Sequence, residues 1–445
     1  MRIIICIATL AIVSMMLPNW LSAQEDSSSV SIYKKKVLDA TTLEILGSYY
    51  TQEGVHAAVS GGRGTEALTD VHPVIVLAIP LNADDILTID AGVSAYTSAS
   101  SSNIDPFDTE TPTDGFQASS GASQGDNWVN LTASYSHSSD DRNKIWSGHI
   151  SVASEYDYFS AGFGGGYTRL FNQKNTEFTI KGNVLIDKWA LLYPIELRPY
   201  NGGGDISNSF LGNYEITGNP DYQPLFEKIR DKGRNSYSIG IGLSQILSRK
   251  IQGSLNMDLV RQEGLLSTPF QRVYFQDIED SFINGFHLAD DIERLPGSRT
   301  KLAIGTRVNF YLNQRIVLRT QYRFYSDDWG ILSHTASLTV PIKLGNRWTI
   351  YPSYRYYFQE AADYFASYNM HVSSSEFYTS DYDLSSFTAN RLGFGISYTD
   401  IFRNLKLGSW GLENVSMKYH YYKRDTDFNA STISIGLKMQ SLKTR

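Results

Sequence analysis

Lys301-Leu302-Ala303-Ile304-Gly305-Thr306-Arg307-Val308-Asn309-Phe310 alternates charged, polar or small residues with mostly apolar ones at a period of two. A strand turns successive side chains to opposite faces, so this spacing gives one face suited to lipid and one suited to water. The next stretch repeats it, with Ile316, Leu318, Tyr322 and Phe324 on one face and Arg315, Arg319, Gln321 and Arg323 on the other. A soluble sheet would have to bury those charges in a dry core, whereas a watery lumen leaves them solvated. The fold class read from this pattern is all-β, a transmembrane antiparallel β-barrel.

Outward from that stretch, alternating segments of about 12 to 15 residues recur, as barrel strands require. They begin near Val37, Thr69, Asp85, Asp126, Asn143, Asp157, Lys174, Arg234, Ile251, Arg299, Arg315, Ile331, Arg347, Phe387, Leu412 and Asp427. That makes about 16 strands, an even number as bacterial single-chain barrels need. Tight links fall near residues 82–85, 139–142, 172–173, 249–250, 313–314 and 345–346, with a longer one around Asn404. These occupy the even-numbered gaps. The long links, residues 51–68, 100–125, 189–233, 264–298 and 360–386, all occupy odd-numbered gaps. Short periplasmic turns and long extracellular loops sort in this way in such barrels. Trp348, Ile350, Tyr354, Tyr356 and Phe358 read as a lipid face, as do Ile433, Ile435, Leu437 and Met439. Pro352 interrupts the first of these, and a bulge or local break is expected there because proline cannot donate to the ladder.

Arg2 precedes an apolar run over residues 3–17, and Leu21-Ser22-Ala23 offers the small residues a signal peptidase reads. The expected organisation is a signal peptide over 1–23, a short periplasmic segment over 24–36, an outer-membrane barrel over 37–439 and a tail over 440–445. The one cysteine, Cys6, falls in the part removed, so the exported chain has no thiol chemistry. No later stretch reaches the roughly 18 apolar residues of a membrane helix. The 29 tyrosines suit rings at a membrane interface. Losing Arg2 takes the formal charge from −7 to −8, and nothing suggests nucleic acid.

The row Lys301, Arg307, Arg315, Arg319, Arg323 and Arg355 is the strongest functional lead, because adjacent strands gather it on one lumen wall. There it either biases the lumen towards anions or pairs with an inward-folded acidic loop such as the one carrying Asp290 and Glu293. Gly121-Ala122-Ser123-Gln124-Gly125 has the spacing of a nucleophile elbow but lacks the strand before and helix after that expose such a serine. His56, Ser60 and Glu66 supply the residue types of a hydrolytic group, but closeness in sequence does not supply the geometry. Gly162-Phe163-Gly164-Gly165-Gly166 has no following helix to aim amides at a phosphate, and reads as relief of crowding in the wall. Asn103, Asp105, Asp108 and Glu110 form one set of oxygen donors in outer loops, and Asp277, Glu279, Asp280, Asp290, Asp291 and Glu293 a second. They suit calcium in kind but follow no EF-hand spacing. No other cofactor is evident.

The segments Tyr50-Thr51-Gln52-Glu53-Gly54-Val55-His56-Ala57-Ala58-Val59-Ser60-Gly61-Gly62-Arg63-Gly64-Thr65-Glu66, Ser98-Ala99-Ser100-Ser101-Ser102-Asn103-Ile104-Asp105, Glu155-Tyr156-Asp157-Tyr158, Gly264-Leu265-Leu266-Ser267-Thr268-Pro269-Phe270 and Asp327-Asp328-Trp329-Gly330 carry a resemblance. They resemble a family of Gram-negative outer-membrane proteins known as a domain of unknown function. Gly54, His56, Gly61, Gly62, Gly64, Thr65 and Glu66 make the family-like loop motif. The resemblance implies a neighbourhood of periplasmic thioredoxin-like and flavin-transferase proteins. The chain itself carries no flavin or haem attachment motif. One departure from usual barrels is an end at Gln440-Ser441-Leu442-Lys443-Thr444-Arg445 rather than at an aromatic residue.

The functional expectation is an outer-membrane barrel of unknown substrate, acting as a pore or as a membrane anchor for envelope partners. Its surroundings would be outer-membrane lipid, and it would be inserted by the barrel assembly machinery. The competing readings are an outer-membrane hydrolase, a surface-binding module built on Tyr364, Phe365, Tyr368, Phe377 and Tyr378, and an accessory barrel for an envelope redox or flavinylation system.

Overall fold

The computed structural model describes residues 35–97, 126–194, 196–208, 210–283 and 285–442. The signal segment, the serine-rich loop with Gly121-Ala122-Ser123-Gln124-Gly125, and the set Asn103, Asp105, Asp108 and Glu110 lie outside these residues.

Sixteen antiparallel strands close into a barrel. They are β1 (Thr42–Glu53), β2 (Leu68–Pro80), β3 (Asp85–Thr97), β4 (Asp126–Ser138), β5 (Lys144–Ser154), β6 (Tyr158–Phe171), β7 (Thr176–Trp189) and β8 (Gly233–Ser248), then β9 (Ile251–Gly264), β10 (Ser298–Tyr311), β11 (Val317–Asp327), β12 (Leu332–Thr339, resumed by Ile342–Leu344), β13 (Trp348–Gln359), β14 (Phe387–Thr399), β15 (Trp410–Arg424) and β16 (Asn429–Ser441). Each strand pairs with its sequence neighbours, and β1 pairs with β16 from Thr42 opposite Gln440 to Glu53 opposite Asn429. The first strand starts at Thr42, later than the expected Val37, and the last runs on to Ser441, still paired to Trp410.

Alternation within each strand fixes the two faces, because residues directly opposite in the ladder point the same way. On β10 to β13 the outward set includes Ile304, Phe324, His334 and Phe358, and the inward set includes Arg307, Gln321, Ser337 and Arg355. Outward apolar side chains such as Ile239, Leu255, Leu392 and Ile435 are exposed, as a lipid-facing wall requires. The protein is therefore an outer-membrane β-barrel. Trp348 and Tyr398, with ring centroids 5.0 Å apart, and Trp410 form part of an aromatic girdle at the turn end.

The proline disruption falls on a different strand from the one expected. β13 runs unbroken through Pro352, whose carbonyl accepts from the Val340 amide at 2.9 Å. The break lies in the partner, β12, between Thr339 and Ile342, where Pro341 removes a second donor beside the first.

Candidate lumen wall and loop cap

Lys301, Arg307, Arg319, Arg323 and Arg355 all lie on the inward face of β10, β11 and β13. Arg315 does not join them, since it sits exposed in the turn between β10 and β11. A ladder line runs from Arg307 through Gln321 and Ser337 to Arg355, and on to Arg391 on β14. Arg319 lies one inward step towards the turn end of that line, and Arg323 one step towards the loops. Lys418 on β15, opposite Gly395, extends the cationic surface. Arg391 and Lys418 were missed in the sequence reading, although the alternation Arg391, Gly393, Gly395, Ser397 against Leu392, Phe394, Ile396, Tyr398 carries the signal. Eight strands round the barrel, the inward faces of β4 to β6 are mostly uncharged, with Asn130, Thr132, Ser134, Ser147, Ser151 and Gly166 beside Trp128 and His149. Gly164 belongs to that face because a Cβ there would run into the Asn183 and His149 side chains, which explains the glycine run as crowding relief.

At the loop end, residues 54–67, 190–232, 265–297 and 360–386 interlock into one cap. Short ladders tie Ile216–Gly218 to Ser281–Ile283 and Arg272–Val273 to Asp291–Ile292. Tyr193, Leu197, Phe226, Tyr274, Ala289 and Ile292 bury one another in a small apolar core. A buried ion pair and a hydrogen bond tie the loops together: Arg272 donates to Glu196 at 2.6 Å and to the Val59 carbonyl at 3.0 Å. The cap is anchored on inward-facing strand ends, where Gln359 donates to the Asp383 and Ser385 carbonyls and Arg424 pairs with Asp383 at 2.7 Å. Its loops thus cross the mouth from the lumen side.

The family-like loop motif is one of the parts of this cap. Gly61, Gly62 and Gly64 all have positive φ, at 71°, 89° and 102°. A Cβ on Gly54 would overlap the Glu66 carboxylate, which accepts from the His56 amide at 3.0 Å. The His56 ring stacks on Tyr382 at 3.7 Å with Nδ1 3.1 Å from the Gly62 carbonyl, and Thr65 accepts from the Ala67 amide. His56 is thus engaged in holding two loops together; no hydrogen bond joins it to Ser60 among the contacts described. Asp327-Asp328-Trp329-Gly330 makes a second anchor. The Asp327 carboxylate accepts from Arg299, Tyr325, and the Trp329 and Ile331 amides, while Arg299 lies 4.2 Å from the Trp329 ring. The described segments that carry the family resemblance all lie at the loop end of the barrel.

Several acidic residues of loop 265–297 have separate partners. Asp277 binds the Ser373 amide and hydroxyl, Asp290 accepts from the Phe275 amide, Asp291 pairs with Arg294, and Glu293 accepts from the Thr268 amide and the Thr379 hydroxyl, both at 2.6 Å. No group of three or more potential metal-binding side chains occurs among the described residues. Burial raises the Asp290 carboxyl to about 6 and the Glu293 carboxyl to about 7, and it raises Asp381 strongly, with Asp383 and Glu293 adding to the effect. Glu66 is also raised, chiefly by burial. Of the aromatics expected on a binding surface, Tyr378 packs on Phe275, Phe365 on Tyr382, and Tyr368 on Tyr274 beneath Arg63, so they serve the cap's interior.

A model of the family described as "Protein of unknown function (DUF3570)" matches residues 4–440. The chain belongs to this family. No curated protein matches the sequence. The family member is similar in structure to a bacterial polysaccharide outer membrane secretin at 9% identity and a TM-score of 0.45, covering 92% of this chain and 100% of that one. It is similar to a BenF-like porin from Pseudomonas fluorescens Pf-5 at 9% identity and a TM-score of 0.38, covering 91% and 98%. A TodX monoaromatic hydrocarbon channel mutant gives 9% identity and a TM-score of 0.39, covering 92% and 91%.

Proposed function

We propose that this DUF3570 protein is a loop-capped outer-membrane channel whose basic wall favours small anionic solutes. The observation that carries the reading is the placement of Arg307, Arg355 and Arg391 on one ladder line, with Arg319 and Arg323 a step to either side. Guanidinium groups stay charged at any physiological pH, and several on one wall facing a mostly uncharged wall set up a field across the lumen. Such a field raises the local concentration of anions and repels cations. Insertion by the barrel assembly machinery and a role beside periplasmic redox proteins are compatible with this reading, but no surface described above singles out such a partner.

Replacing Arg307, Arg319 and Arg323 together by Glu tests it in planar bilayers. The expected result is conductance with ion preference shifted towards cations and the amount of folded protein little changed. A conducting pore whose selectivity ignores the triple reversal would reject the channel-wall reading. The interlocked cap favours one second reading, a closed barrel that anchors partners. A barrel silent before the substitutions and leaky after them would support that anchor.

A further inference from the structure

The turn end of the barrel is charged unevenly. Between β2 and β7 its three turns mix signs: Asp84 pairs with Arg142, Asp85 with His137, and Lys144 and Lys174 share the rim with Asp140 and Asp141. The next four turns, which link β8 to β9, β10 to β11, β12 to β13 and β14 to β15, are neighbours round the other half of the rim. Each carries exposed cations. Arg249 and Lys250 are in the first and Arg315 is in the second; Lys343 and Arg347 flank the third, and Lys406, with a half-buried Arg403 nearby, is in the fourth. None of them makes an ion pair among the described residues. The nearby acids are engaged elsewhere, Asp400 with the Leu405 amide at 2.8 Å and Glu413 with Lys438 at 3.9 Å.

Exposed apolar side chains stand beside these cations at every turn. They are Leu247, Leu312 and Leu344, and in the last turn Phe402 and Leu407 at 73% and 70% exposure. The patch is continuous with the lipid-facing wall, because Arg347 donates to the hydroxyl of Tyr398 in the aromatic girdle at 3.4 Å. A protein-facing rim would gain nothing from that continuity. Apolar groups level with headgroups, with cations reaching past them, match a layer of acyl chains beneath phosphates.

We infer that this half of the rim docks anionic phospholipid, its cations on lipid phosphates and its leucines and Phe402 in the interfacial layer. The inference does not depend on whether the lumen conducts. Its test places the full-length folded barrel in nanodiscs of phosphatidylcholine, with or without phosphatidylglycerol, and maps acylation of lysines by an amine reagent. Lys250, Lys343 and Lys406 should be shielded only with phosphatidylglycerol, and high salt should undo the shielding. Lys144 and Lys174 should label equally in both discs. In detergent, retention of phosphatidylglycerol should fall about five-fold for each cation changed to Gln among Arg249, Arg315 and Lys406. The salt titration on the unaltered protein keeps the idea testable if a variant folds poorly. Equal labelling in both discs would overturn it, as would retention unchanged by the substitutions. Lysines indifferent to lipid but shielded by added polyglutamate would assign the surface to an acidic protein instead.

Discussion

Ile304 and Arg307 are three residues apart on one strand, and their environments could hardly differ more. Ile304 faces lipid at mid-strand, opposite Met257 and Phe324, while Arg307 faces the lumen and is exposed. An arginine at mid-bilayer on the lipid face costs about 2 to 4 kcal/mol. Ile304→Arg should therefore lower the stability of the folded barrel by about that amount, whereas Arg307→Gln should leave it nearly unchanged, both read by denaturant unfolding in liposomes. Equal losses would mean that the two faces are not lipid and lumen as assigned. Ala303 also faces inward but is packed at 6% exposure, so enlarging it tests crowding rather than the lumen. Gly54→Ala probes the cap in the same way. The added methyl must displace the Glu66 carboxylate from the His56 amide, and limited proteolysis within residues 54–67 should become faster while the barrel stays intact.

At the scale of elements, the strands were largely legible in the sequence because one face of each must be apolar and the other need not be. Segments expected at Asp85, Asp126, Ile251 and Phe387 start at those residues in the structure. The cap was not legible. Its ladders join Ile216 to Ile283 and Arg272 to Ile292 across loops with no periodic pattern, and a two- or three-residue strand leaves no period to detect. The inward direction of Arg307, Arg319, Arg323 and Arg355 was legible from alternation, but the shared ladder line with Arg391 depends on register between strands. The cap also makes a prediction about pH. Glu293 is raised to about 7 from an ordinary value of 4.5, so the closed cap binds more protons than an opened one between those values. Its contribution is complete below pH about 4.5 and is lost as pH rises through 7. Hydrogen exchange of residues 265–297 and 360–386 should be slowest in mild acid and quicken across that window, and Glu293→Gln should reduce the dependence, leaving the part due to Asp290 and Asp381. Exchange that slows as pH rises, once intrinsic rates are divided out, would contradict the sign.

For the molecule as a whole, closure brings the two ends of the barrel together at the turn end, where Thr42 lies opposite Gln440. A circular permutant with those ends joined by a short linker and new termini between Arg249 and Lys250 should still give the heat-modifiable barrel, read by gel mobility with and without boiling. Deleting residues 429–445 should abolish it. The seam between β1 and β16 also sets the order of events during synthesis. It joins positions separated by nearly the whole chain, so its loop-closure entropy is among the largest in the fold, and no local hairpin can substitute for it. Until Asn429–Ser441 exists, β1 on one side and β15 on the other present bare amides and carbonyls to any strand that passes. A nascent chain of this protein is for most of its life an open template for aggregation. Its seam can therefore close only once this last thirteen-residue strand is available.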